Sequence, residues 1–167
     1  MSDRIEFERR PHQEGSHDSG IRIRINGLDL TELVRPVEAP FADAEGSSAS
    51  AGAYAGLPPD KETCPPSRHF LGDPSWRIYD YSGKTQVLQC ECGEPGCWPL
   101  VCRIDVSDDA VVWADFEQPH RRAGRARSVW TYEQLGPFRF ERRQYEAALE
   151  VLRAAGEQPD AADEAPS

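Results

Sequence analysis

An α+β fold, an antiparallel β-meander of about four to six strands packed by a C-terminal amphipathic helix, follows from three features of the 167-residue chain. Runs of alternating apolar residues, separated by short polar turns, fill the stretch from Trp76 to Phe116. A single helical stripe, Tyr145, Ala148, Leu149 and Leu152, stands at i, i+3, i+4 and i+7 near the end of the chain. Segments poor in large hydrophobes gather at the two ends and in one internal stretch, which leaves the remainder apolar enough for one core.

Taken in order, residues 1–19 are polar and carry no apolar run, and they read as a disordered tail without a secretory signal. The domain then occupies residues 20–156. Ile21, Ile23 and Ile25 alternate with arginines in the period-two pattern of a half-buried strand, and Asn26-Gly27 marks a turn. "DLTELV" allows one or two helical turns, which Pro36 is expected to end. Residues 42–60, rich in Ala, Ser, Gly and Pro, predict a mobile loop. In "CPPSRHFLG", Ser67 is placed to cap a single helical turn that carries Phe70 and Leu71 inward.

Two hairpins follow. "WRIYDY" and "TQVLQCEC" flank a Ser-Gly turn, and "WPLVCRIDV" and "VVWADF" flank the polar turn at residues 107–109. "HRRAGRARS" reads as an exposed basic loop, and "VWTYEQLGPFRF" as a further, at least partial, strand. The helical stripe closes the domain, with Gly156 as its expected stop. Residues 157–167 are acidic without basic residues and read as a second disordered tail.

The formal net charge of -10 does not favour nucleic acid or an anionic membrane, and no apolar run reaches the length of a membrane helix. A cytoplasmic protein is expected, in which five cysteines would be reduced and available for metal, redox chemistry or simple burial. Phosphate loops, nucleophile elbows, dinucleotide fingerprints and H-E-x-x-H motifs are absent from the sequence, so no catalytic residue is assigned.

Four of those cysteines stand in "CECGEPGCWPLVC", from Cys90 to Cys102. If the apolar faces of the two flanking strands share one core, Cys92 pairs near Trp98 and Cys90 near Leu100, around the loop "GEPGC". That register sends Cys90, Cys92 and Cys102 to the core and leaves Cys97 in the turn. The first reading is therefore that cysteine serves as a small buried residue. The second is zinc held by Cys90, Cys92 and Cys97, with Cys64, Cys102 or His120 as fourth ligand. A redox pair at Cys92 and Cys97 comes third, since Glu91 and Glu94 should raise thiol pKa values.

Arg68-His69 and His120-Arg121 form the other candidate constellation. If their loops meet, guanidinium and imidazolium would suit a carboxylate or phosphate. His12 and His17 fall in the polar N-terminal tail.

"PPSRHFLG", "CECGEPGCWPL", "VVWADFEQPHR" and "LGPFRFERRQYEAAL" together resemble a family of small uncharacterised bacterial proteins, over roughly Ile21 to Leu152. The resemblance implies a bacterial cytoplasmic protein with a shared fold and carries over no catalytic residue. Three functions are thus expected in order. The first is a binding or interaction domain without catalytic activity or cofactor, acting on a protein partner. A zinc-stabilised domain follows, then an enzyme or anionic-ligand binder around His69 and His120.

Overall fold

The computed structural model describes residues 2–11, 19–124 and 128–164, with side chains through Arg153. His12, His17, part of the basic loop and the last residues of the acidic tail lie outside the described residues. Two antiparallel sheets and two helices share one hydrophobic core, the α+β arrangement expected.

The smaller sheet has the order β1 (Ile5–Glu8), β2 (Arg22–Ile25), β3 (Leu28–Asp29). β1 corrects the expected N-terminal tail. Ile5 and Phe7 face the core and Glu6 and Glu8 face out, a strand alternation that the polar surroundings mask. Its edge is secured by the Gln144 side chain, which accepts from Ile5 N at 3.0 Å and donates to Ile5 O at 2.6 Å.

Helix α1 (Leu30–Ala44) runs through Pro36 and Pro40, where a stop was expected. Each proline removes the hydrogen bond to the carbonyl four residues earlier, at Glu32 and Pro36. Residues 32, 36 and 40 all lie on the exposed side, so the freed carbonyls belong to residues open to solvent and not to the core. The opposite stripe, Leu30, Val34, Glu38 and Ala42, is fully buried and holds the helix down.

The larger sheet has the order β4 (Tyr54–Gly56), β6 (Lys84–Cys90), β7 (Leu100–Val106), β8 (Ala110–Glu117), β9 (Phe138–Glu141), with β5 (Asp80–Tyr81) paired to the first residues of β6. β5 to β8 form the two hairpins of the expected meander, with the first strand cut to Asp80–Tyr81 because Arg77–Tyr79 makes a 3₁₀ turn, and β9 supplies the further strand. β4 corrects the expected mobile loop: Tyr54, Ala55 and Gly56 are all buried against the end of β6. Small residues are needed there because the two sheets meet backbone to backbone. Ile21 N donates to Leu57 O at 2.8 Å and Gly56 N to Ser19 O at 3.0 Å, and a Cβ on Gly56 would lie 2.2 Å from Ile21 O.

Helix α2 (Arg142–Glu164) turns Tyr145, Ala148, Leu149 and Leu152 into the core as expected, and continues past Gly156. Trp113 lies at the centre, ringed by Phe70, Phe116, Phe140 and Tyr145, with its Nε1 donating to Tyr145 Oη at 3.0 Å.

Candidate metal centre

The cysteine segment does not form the short hairpin that its alternation suggests. Gln86 pairs with Val101 and Leu88 with Leu100, so Val87 is an extra residue in β6, a β-bulge. Beyond it, β4 captures the end of β6, with Tyr54 opposite Cys90. Released from β7, the chain makes a long loop over residues 91–99. Cys102 stands opposite Thr85 and is fully buried, Cys90 is half-buried, and Cys92 and Cys97 are exposed. The expectation that Cys90, Cys92 and Cys102 share the core face is therefore corrected for the first two. It failed because Leu100 pairs with Leu88 rather than with Cys90, so Cys90 and Cys92 run on past the end of β7 into the loop instead of packing across from it.

The loop instead gathers three thiols. The Sγ atoms of Cys90, Cys92 and Cys97 all lie within 4.8 Å of one another. Two tight turns bring them there: Gly93 N donates to Cys90 O at 3.0 Å and Cys97 N to Glu94 O at 3.2 Å. Gly93 has φ 93°, in the left-handed region open to glycine. Backbone amides also face the sulfurs, with Cys92 N donating to Cys90 Sγ and Glu94 N to Cys92 Sγ, both at 3.5 Å. The Gln86 side chain braces the loop from below, its Nε2 donating to Pro95 O at 2.7 Å and Leu88 O at 3.1 Å.

These contacts divide the thiols electrostatically. Burial pushes Cys90 up to about 12, helped by the neighbouring Cys92 and Cys97. Cys92 is held below the ordinary thiol value, first by the Glu94 amide and then by the Cys90 thiol. Glu94 thus acts in the opposite sense to that expected from its charge, because its N–H is aimed at the sulfur and outweighs its carboxylate.

His120 lies beside this loop. It sits in a single 3₁₀ turn (Pro119–Arg121), where its amide donates to Gln118 Oε1 at 3.1 Å. Its exposed ring places Nε2 2.8 Å from Gly96 O and stacks on Trp98 at 6.2 Å. The Arg121 guanidinium lies over Trp98 at 5.0 Å and Trp130 at 5.6 Å, and is paired with Glu45 at 3.1 Å. Burial opposes the Glu45 charge, yet the bonds from Arg121 and Trp130 hold its carboxyl below the usual range.

His69 belongs to a different environment. Its segment forms the expected single turn (His69–Leu71), with Ser67 Oγ accepting from the His69 amide at 3.1 Å. The ring is fully buried, Nε2 donating to Gln86 O at 2.7 Å, with Phe70 and Tyr79 edge-on to it. Burial lowers its pKa to about 4, so it is neutral at pH 7. Arg68 is exposed and pairs with Asp73 at 3.7 Å. Arg68 and His69 share no partner with His120 and Arg121, His69 has no exposed atom to offer an anion, and Arg121 is committed to Glu45. These four side chains do not build a common anion site.

Sequence reasoning overlooked Glu38. It is fully buried, with Oε2 accepting from Tyr54 Oη and Tyr132 Oη, both at 2.5 Å, and Oε1 from Gly52 N at 2.8 Å. Desolvation raises its pKa against those hydrogen bonds. Gln118 donates to Tyr54 Oη at 3.2 Å, so the network runs from α1 to the residue that caps the His120 turn. The signal was available: Leu30, Val34, Glu38 and Ala42 stand at i, i+4, i+8 and i+12, which puts a carboxylate in an otherwise apolar stripe.

The molecule is thus an α+β domain whose chemically distinctive feature is an exposed three-thiol loop. Among known protein families, curated proteins and solved structures, no match to this chain was found. Among the described residues, no helix is long and apolar enough to cross a membrane.

Proposed function

We propose that the chain is a non-catalytic binding domain of the bacterial cytoplasm, organised by a thiophilic divalent ion, zinc foremost, on Cys90, Cys92 and Cys97. One observation carries the reading: three sulfurs brought within 4.8 Å of one another by a loop with no other packing task for two of them. Tetrahedral zinc with thiolates at about 2.3 Å requires sulfurs about 3.8 Å apart. The loop would need to contract by no more than about 1 Å to meet that geometry. The amides directed at Cys90 and Cys92 offset the charge that three thiolates accumulate. Loading replaces thiol protons by metal–sulfur bonds and releases up to three protons to solvent. The binding role is supported by Trp76 and Ile78, which remain 43% and 42% exposed and offer apolar surface to a protein partner.

Protein purified without added metal and then titrated with Zn²⁺ is expected to take up one equivalent. Cys92→Ser and Cys97→Ser are expected to weaken binding by more than about 100-fold, beyond what loss of an outer-shell partner costs. Because both thiols are exposed, thermal unfolding of the metal-free variants should match that of the parent. Zinc affinity equal in parent and variants, or no stoichiometric uptake by the parent, defeats the reading.

A further inference from the structure

We infer that His120 supplies the fourth ligand of this centre and that metal loading clips the cysteine loop to the 3₁₀ turn following β8. The inference rests on the metal reading and names the one group that reading leaves open.

The strand register removes the other candidates. Cys102 lies opposite Thr85, five residues before Cys90 on β6 and roughly 16 Å away at about 3.3 Å per residue. Cys64 is buried in the turn at residues 60–64, where its amide donates to Asp60 O at 2.9 Å and its Sγ lies 3.9 Å from Thr63 Oγ1. Neither belongs to the three-sulfur cluster, and His120 is not yet within it either, but His120 alone of the three bonds to the cysteine loop.

His120 approaches that cluster from the neighbouring loop. Its Nε2 is 2.8 Å from Gly96 O, the carbonyl of the peptide whose nitrogen belongs to Cys97. Standard bond lengths keep Cys97 Sγ within about 6 Å of that oxygen, hence within about 9 Å of Nε2, with Nδ1 about 2 Å further across the ring. Closing this gap requires the exposed imidazole to turn about its side-chain torsions and the cysteine loop to move towards it. Cys92 and Cys97 are exposed, and nothing lies within 4 Å of where a Gly96 side chain would begin. The ring is exposed, and among the described residues it stacks on Trp98 and bonds to Gly96 O.

The present hydrogen bond also selects the tautomer. With Nε2–H donating to Gly96 O, Nδ1 carries the lone pair. A zinc histidine commonly gives its second N–H to a backbone carbonyl in this way, which fixes the ring and raises its basicity. The charge balance favours imidazole as well. Three thiolates and a neutral histidine leave a divalent site at -1, whereas a fourth thiolate would make it -2 beside Glu91 and Glu94.

Co²⁺ titration of the full chain, read by visible absorption, tests this. The parent is expected to bind one Co²⁺ with sulfur-to-metal charge-transfer and tetrahedral ligand-field bands. His120→Ala should bind about 10- to 100-fold more weakly and lose ligand-field intensity as water enters. His120→Cys should restore binding with bands moved to longer wavelength, since a fourth thiolate is a weaker-field ligand than imidazole. Such rescue distinguishes ligation from a structural effect of the alanine. A His120→Ala spectrum and affinity equal to the parent overturn the assignment of His120 while leaving the three-thiol centre standing. A parent without thiolate–cobalt bands overturns the metal reading itself.

Discussion

His69 and His120 look alike in the sequence: each stands beside an arginine in a short, proline-bearing loop segment. The fold treats them in opposite ways. His69 is fully buried, neutral, and spends Nε2 on Gln86 O between two aromatic rings. His120 is exposed and lies against the cysteine loop, with its Nε2 on Gly96 O. The contrast shows how location divides one chemistry into two tasks. A buried imidazole is useful when its hydrogen bond is made and its charge suppressed, and a surface imidazole when a lone pair is left for a ligand. The two regions are joined through Gln86, whose carbonyl receives His69 and whose side chain holds Pro95 in the cysteine loop.

The largest effect expected from this contrast is on stability. His69→Ala removes a buried ring and orphans the Gln86 carbonyl, which should cost about 4 kcal/mol by chemical denaturation. A loss below about 1 kcal/mol would mean that the site is not the packed core described. His120→Ala in metal-free protein should lie near zero on the same scale.

A pH titration of stability sharpens the comparison. The folded pKa of His69 is about 4 against an ordinary 6.5, so the unfolded chain binds a proton that the folded one refuses. Its contribution is complete above about pH 6.5 and is lost as pH falls towards about 4, by up to about 3 kcal/mol. Glu38 acts in the opposite sense: its raised pKa makes its contribution decline as pH rises above 4.5. The difference between parent and His69→Ala isolates the histidine, and an unchanged slope in the variant would refute the assignment.

A modest effect is expected at Arg121. Its ion pair with Glu45 and its position over Trp98 and Trp130 are partly exposed, and Arg121→Ala should cost about 1 kcal/mol. Zinc affinity should be unchanged. A fall in affinity as large as that of His120→Ala would show that the guanidinium, not the imidazole, holds the loop in place.

Much of the fold was legible because the responsible signals are local. The Ser82-Gly83 turn has positive φ at both residues, 56° and 92°, and folds β5 onto β6 where the dipeptide indicated. The polar turn at residues 107–109 likewise joins β7 to β8, and the stripe from Tyr145 to Leu152 is buried as its spacing requires. Other elements were hidden because their stabilisation comes from distant segments. Ile5 and Phe7 make a strand only against β2 and α2, and Tyr54 to Gly56 only against β6, Ile21 and Glu38. α1 persists through two prolines because its buried stripe, not its solvent side, carries it.

At the candidate site, residue types were legible and their arrangement was not. Cys90, Cys92 and Cys97 are identifiable as metal-competent thiols from sequence, and His120 as one of three candidate partners. Alternation along a strand assigns faces only while pairing is regular, and the bulge at Val87 ends that regularity within β6. Both faces of β6 are also covered, leaving Gln86 and Gln89 fully buried, so polarity does not mark a solvent side there.

By itself, then, the sequence determined the class of fold, the two hairpin turns, the helical stripe and the supply of thiols and imidazoles. These depend on backbone preferences and periodicities spanning a few residues. Only the tertiary structure decided that one histidine is core and the other bonds to the carbonyl of Gly96 in the cysteine loop, that β4 captures the end of β6, and that Glu38 is enclosed by two tyrosines. Each of those outcomes depends on a partner far away along the chain, and no local pattern contains the position of a distant partner.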